Sequence, residues 1–194
     1  EDLYEKISYQ LLLNGFSVIH NFLSLEKDLL TSLKNLHYSE DINPIENTYP
    51  GGYCKTYKNV SEAKTSYIPK SINLLIRNKI INKIASQYLN TLKFKIDVFQ
   101  TLDTVDSDHI AQKPHFDRIP KLKFMLYINN MDEKNGAFCL SPGSHHWVRE
   151  NFPLPRPKHS DQNYFQKSRK LPSSSIENLI RINGKAGQLL IFHT

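Results

Sequence analysis

The apolar residues of this chain change their period near residue 90, and that change limits the folds open to it. Before it they recur at helical spacing: Leu3, Ile7, Leu11 and Leu12 over residues 2–14, then Leu25, Leu29, Leu30, Leu33 and Leu36, then Ile72, Leu75, Ile76, Ile80 and Ile84. Asn14-Gly15 ends the first of these helices, and Phe16 and Val18 follow as a short strand. Ser24 is suited to cap the second helix, and Pro69 to open a third that runs to about Tyr88. Residues 39–68 are rich in Asn, Pro, Gly, Tyr and Ser and read as loops, with one short strand at Tyr53–Tyr57.

From residue 92 the pattern becomes strand-like. Leu92, Phe94, Ile96 and Val98 alternate with polar neighbours. Residues 122–128, 136–140 and 187–193 predict further short strands. Pro153, Pro155 and Pro157 mark one loop, and Pro172 with Ser173, Ser174 and Ser175 another. Helices first and short strands after predict an α+β domain with helices packed on a mostly antiparallel β-structure.

At 194 residues the chain fits one domain, 1–194, with 1–90 as helical support and loops and 91–194 as the β core. Hydrophobic residues make up 39% and charged residues 23%, the balance of a water-soluble globular chain. No apolar run reaches the roughly 18 residues needed to cross a bilayer, and no secretory leader is evident, so a cytoplasmic protein without membrane partners is expected. Cys54 and Cys139 form no C-x-x-C pair, and two free thiols are the simpler reading. The net charge of +6 has two explanations, a lysine-rich solvated surface or an anionic small-molecule substrate. The basic residues are scattered and no nucleic-acid-binding motif occurs, so nucleic acid is not an expected partner.

His115-Phe116-Asp117 carries the chemistry. In extended backbone, residues two apart share a face, so an imidazole and a carboxylate can converge on one ion while Phe116 points away and packs. One His, one carboxylate and a further His form the facial triad of non-haem iron(II) oxygenases, which leaves positions open for a 2-oxo acid and O₂. Alone, a His-x-Asp is common enough to be incidental.

Residues 134–147 add specificity. They read Lys-Asn-Gly-Ala-Phe-Cys-Leu-Ser-Pro-Gly-Ser-His-His-Trp, and follow the apolar run Lys121–Asn130. With the His-x-Asp before them and Gly187–Thr194 after, they resemble the phytanoyl-CoA dioxygenase-like family of iron(II)- and 2-oxoglutarate-dependent oxygenases over roughly residues 92–194. The resemblance implies a double-stranded β-helix, or jelly-roll (cupin-like) barrel, buttressed by the N-terminal helices. It implies Fe(II), 2-oxoglutarate and O₂, with succinate and CO₂ as co-products of substrate oxidation. Asp117 argues for hydroxylation, since related halogenases carry a small residue there. Asn135-Gly136 is expected to supply a positive-φ hairpin turn. Pro142-Gly143-Ser144-His145 is expected to lead into a short helix capped by Ser144, with His145 and His146 in the scaffold.

The resemblance makes His115 and Asp117 metal ligands and catalytic residues. It puts the third histidine, and the arginine that holds the 2-oxoglutarate 5-carboxylate, beyond Thr194; the chain is then short of its last strands, with His193 as the fallback ligand. Met125, Tyr127 and Thr104 are candidates to touch 2-oxoglutarate, and Gln100 and Arg118 to touch substrate. Each has a plainer reading: Tyr127 as core, Gln100 and Thr104 as ordinary polar residues, Arg118 as rim cover. Two other classes compete: a non-catalytic jelly-roll binding protein, and a cupin-like metalloenzyme completed by His193 or His109 without 2-oxoglutarate.

Overall fold

The computed structural model describes residues 2–23, 27–35, 45–49, 52–57, 69–103, 114–117, 121–152 and 171–194. Helix α1 (Leu3–Asn14) begins with the Asp2 carboxylate accepting from the Tyr4 N–H and ends at Gly15, whose φ of 82° lets its N–H reach the Leu11 carbonyl. Strand β1 (Phe16–Ile19) follows directly. Helix α2 (Lys27–Asn35) buries Leu29 and Leu33, as the spacing predicts, while Ser24, Leu25 and Leu36 lie outside the described residues.

The expected third helix is two. Helix α3 (Lys70–Ile76) stops at Arg77, and α4 (Lys79–Leu89) restarts because the Asn78 side chain accepts from the Ile80 and Ile81 N–H groups. An Asn offers the backbone this alternative to a continuous helix, and the break lets α3 and α4 serve different clusters. Ile72 joins Leu23, Leu29 and Leu33, whereas Ile84 joins Ile7 and Leu11 of α1 with Leu189 and Ile191.

The strands among the described residues form three antiparallel sheets. The first has the order β1–β8–β5, with β5 at Leu122–Leu126 and β8 at Leu189–His193. The second joins β2 (Ile45–Tyr49), β3 (Gly52–Tyr57) and β4 (Val98–Asp103) in that order. The third pairs β6 (Cys139–Leu140) with β7 (Ile180–Arg181). The segment expected as a loop thus holds a hairpin rather than a lone strand, and β2 and β7 were not foreseen. The alternation at residues 92–98 misleads: residues 91–97 carry no strand, Leu92 is 90% exposed, and the strand begins only at Val98.

Strand β8 is the axis of the core. Leu189 and Ile191 face α1 and α4, Leu190 and Phe192 face the other way, and all four are buried. Each such side chain contributes about 1.5–3 kcal/mol on burial. The register Leu122↔His193, Lys123↔Phe192, Phe124↔Ile191 and Met125↔Leu190 fixes which residues of β5 share each face.

The segment before β6 is a 3₁₀ turn (Glu133–Asn135). Asp132 accepts from the Lys134 N–H, and the Asn135 side chain accepts from the Asp132 N–H. Gly136 takes the positive φ of 81°, as expected, but it closes this turn and not a tight hairpin. Helix α5 (Ser144–Asn151) follows with Gly143, not Ser144, at its cap position, φ 75° and no side-chain cap bond. The serine run expected as a loop forms a short helix, α6 (Ser173–Glu177), opened by Pro172.

Candidate metal centre

His115 and Asp117 emerge on one edge of the chain. Phe116 between them is 6% exposed and packs on Phe152 with ring centroids 4.8 Å apart. The flanking side chains are 27% and 23% exposed and face each other, His115 Nε2 lying 4.0 Å from Asp117 Oδ1. Bonds from a divalent ion to imidazole nitrogen and carboxylate oxygen are about 2.0–2.2 Å, so one ion can bridge a gap of this size. The donor set, one imidazole and one carboxylate, fits a ferrous ion.

Asp117 is held as a carboxylate. Burial pushes its pKa up, but Lys123, through its charge and a hydrogen bond, a hydrogen bond from Thr194, and the His115 ring together bring it below the ordinary value. The Lys123 ammonium sits 2.5 Å from Asp117 Oδ2. The two oxygens are therefore divided, Oδ2 to the ammonium and Oδ1 toward the imidazole. Lys123 reaches the site because it shares a sheet face with Phe192, over whose ring its nitrogen lies 5.9 Å from the centroid.

The same alternation places His193 on the opposite face from Lys123. It pairs with Leu122 on the face that carries Phe124 and Ile191, turned toward the helices, and its ring lies 6.0 Å from that of Tyr88 on α4. Thr194, one residue on, bonds Asp117. Strand parity thus sets His193 and Thr194 on opposite faces. Among the described residues, no three or more His, Cys, Asp or Glu side chains are grouped to hold a metal ion.

Tyr127 takes the scaffold role. Its hydroxyl donates to the Ile182 carbonyl at 2.7 Å and accepts from the Phe138 N–H at 3.2 Å, tying β5 to the β6–β7 segment. Its one proton is committed to the backbone and unavailable to a cosubstrate carboxylate. Met125, opposite Leu190, lies on the Lys123 face. Gln100 sits in β4 opposite Lys55, with its side chain outside the description. Thr104, His109 and Arg118 lie outside the described residues.

His145 is part of the scaffold. Its Nε2 is 3.1 Å from the Leu12 carbonyl at the end of α1, and its ring lies against Gly15. Burial lowers its pKa; the Leu12 carbonyl opposes this, and His146 and Arg149 add to it, leaving the ring neutral. Sequence reasoning missed the part played by Lys123 and Thr194. The available signal was a lysine in the middle of an apolar strand, on the face shared with Met125.

The architecture matches known proteins. The structure of the epimerase SnoN from nogalamycin biosynthesis, in complex with Fe3+, alpha ketoglutarate and nogalamycin RO, superposes with a TM-score of 0.57 at 14% identity, covering 98% of this chain and 73% of SnoN. HygX from Streptomyces hygroscopicus, with nickel and 2-oxoglutarate bound, gives a TM-score of 0.58 at 15% identity, covering 98% of this chain and 78% of HygX. At such identities the likeness is one of fold. No curated protein matches the chain significantly by sequence. The model of the phytanoyl-CoA dioxygenase (PhyH) family matches residues 72–194, well over half of the sequence. The chain therefore belongs to the phytanoyl-CoA dioxygenase family.

Proposed function

We propose that the chain is an Fe(II)- and 2-oxoglutarate-dependent oxygenase that hydroxylates a small, anionic molecule, with His115 and Asp117 as two of its metal ligands. The observation that carries this reading is the convergence of the imidazole and an ionised carboxylate at 4.0 Å, on the motif that the family match includes. Two neighbours of the same fold were solved with Fe3+ or nickel and a 2-oxo acid, which supports the same cofactor set here. In this reading the antiparallel sheets belong to a double-stranded β-helix, and the third metal donor comes from outside the described residues.

When bound, iron with 2-oxoglutarate and O₂ supplies the oxidising power, releasing succinate and CO₂. The chain's own residues bind and orient. His115 offers Nε2, Asp117 offers Oδ1, and the Phe116–Phe152 pair fixes the backbone that presents them. The net charge of +6 favours an anionic substrate. That SnoN is an epimerase supports a second outcome, in which the same metal centre inverts a carbon instead of hydroxylating it.

The test is anaerobic addition of Fe(II) and 2-oxoglutarate to the full-length protein, followed by the weak visible band of the metal chelate. His115→Ala and Asp117→Ala should each abolish it, and a band that survives both changes refutes the assignment. A gain of one oxygen by mass spectrometry in a substrate screen separates hydroxylation from epimerisation, which leaves the mass unchanged.

A further inference from the structure

We propose that Lys123 is a positioning residue that makes Asp117 a one-oxygen metal ligand, and so keeps a coordination position open for the 2-oxo acid. The inference rests on the metal-centre reading above. Its own basis is the division of the carboxylate: the ammonium holds Oδ2 at 2.5 Å, while Oδ1 faces His115 Nε2 at 4.0 Å. A carboxylate left to itself can bind a metal through both oxygens. With one oxygen engaged by a charged donor, two-point binding requires breaking a charge-assisted hydrogen bond.

The arrangement is built, not incidental. Lys123 comes from β5, a strand pinned on one side by β8 through Leu122↔His193 to Leu126↔Leu189. Its nitrogen is guided over the Phe192 ring, the residue directly opposite it. Thr194, whose hydroxyl meets the Lys121 backbone just before β5, also helps to lower the Asp117 pKa. Groups that orient metal-bound carboxylates in this way commonly change metal affinity or activity by about 10–100-fold when removed.

A six-coordinate ion that takes three protein donors and two oxygens of a 2-oxo acid has one position left. A carboxylate that opens to two-point binding takes one of the three positions the protein donors leave, so the 2-oxo acid must displace that oxygen or bind with no position left beside it. The defect on losing Lys123 should therefore fall on cosubstrate binding more than on metal binding.

The experiment measures Ni(II) binding to the full-length protein, then 2-oxoglutarate binding to the Ni(II)-loaded protein, both by calorimetry, for wild type, Lys123→Met and Lys123→Arg. Lys123→Met should bind Ni(II) within about tenfold of wild type but lose at least about tenfold in 2-oxoglutarate affinity. Lys123→Arg, which still donates to Oδ2, should recover most of the loss. A Lys123→Met protein that binds 2-oxoglutarate like wild type overturns the proposal, as does an equal loss in both variants. If Lys123→Met does not fold, Lys123→Arg and Lys123→Gln decide, the first expected near wild type and the second impaired. Wild type that shows no Ni(II)-dependent binding at all overturns the metal-centre reading itself, a result distinct from the others.

Discussion

Gly15 and the His145 ring are in contact so close that a β-carbon on residue 15 would stand 2.5 Å from His145 Nδ1. The glycine ends α1 with φ at 82°, and the imidazole bridges to the Leu12 carbonyl of the same helix end. Gly15→Ala meets both constraints at once. The left-handed backbone alone costs an L-residue about 1–2 kcal/mol, and displacing the ring adds to it. Urea unfolding should show a loss of roughly 2–4 kcal/mol, larger than the sum of a simple helix-end substitution. A change below about 0.5 kcal/mol would mean that the ring does not seat there.

Tyr127→Phe separates scaffold from cosubstrate contact. The change removes the bond to the Ile182 carbonyl and strands the Phe138 N–H, at a cost of about 1–3 kcal/mol in unfolding free energy. Affinity for 2-oxoglutarate should stay within about twofold. A large loss of affinity with unchanged stability would return Tyr127 to the binding site.

Asn78→Ala should cost about 0.5–2 kcal/mol, because the side chain satisfies two N–H groups at the start of α4. Asn78→Asp keeps the acceptor and should be nearly neutral. Thermal melts of the two variants give the comparison directly.

Two of the described groups contribute to the acid limit of stability. His145 has a folded pKa below its ordinary 6.5, so the unfolded chain binds the proton more readily. Its contribution is present above 6.5 and is lost as pH falls from there through the folded value. Asp117, also lowered, contributes above 3.8 and loses its share as pH falls further. Denaturation midpoints should therefore decline first as pH falls below 6.5, then again as it falls below 3.8. His145→Gln should flatten the first decline and leave the second.

Much of this was legible in the sequence because it rests on local chemistry. Gly15 as a helix stop, the parity of His115 and Asp117 around buried Phe116, and the apolar run that became β5 follow from backbone geometry and period. The failures share a different cause. The helical period from Ile72 to Ile84 runs straight through Asn78, yet its carboxamide caps a new helix. Leu92, Phe94 and Ile96 alternate outside any strand, because alternation specifies a face and not a partner strand. Lys123 shares a strand face with Met125 in the sequence, but its part appears only when β8 is laid beside β5 and Asp117 is brought over it from outside that sheet. Contacts between strands 63 or more residues apart in sequence, such as Leu126↔Leu189, have no local trace.

Strand β8 sends His193 toward the helices and Thr194 toward the carboxylate, with one peptide bond between the two destinations. Adding or deleting a single residue in the Ala186–Gly187 turn would swap them, bringing an imidazole under the ligand pair and a hydroxyl among leucines and isoleucines. The length of that turn is thus as much a part of the reactive centre as any side chain in it, and a natural variant with an altered length there should be read as a change of chemistry before it is read as a change of loop.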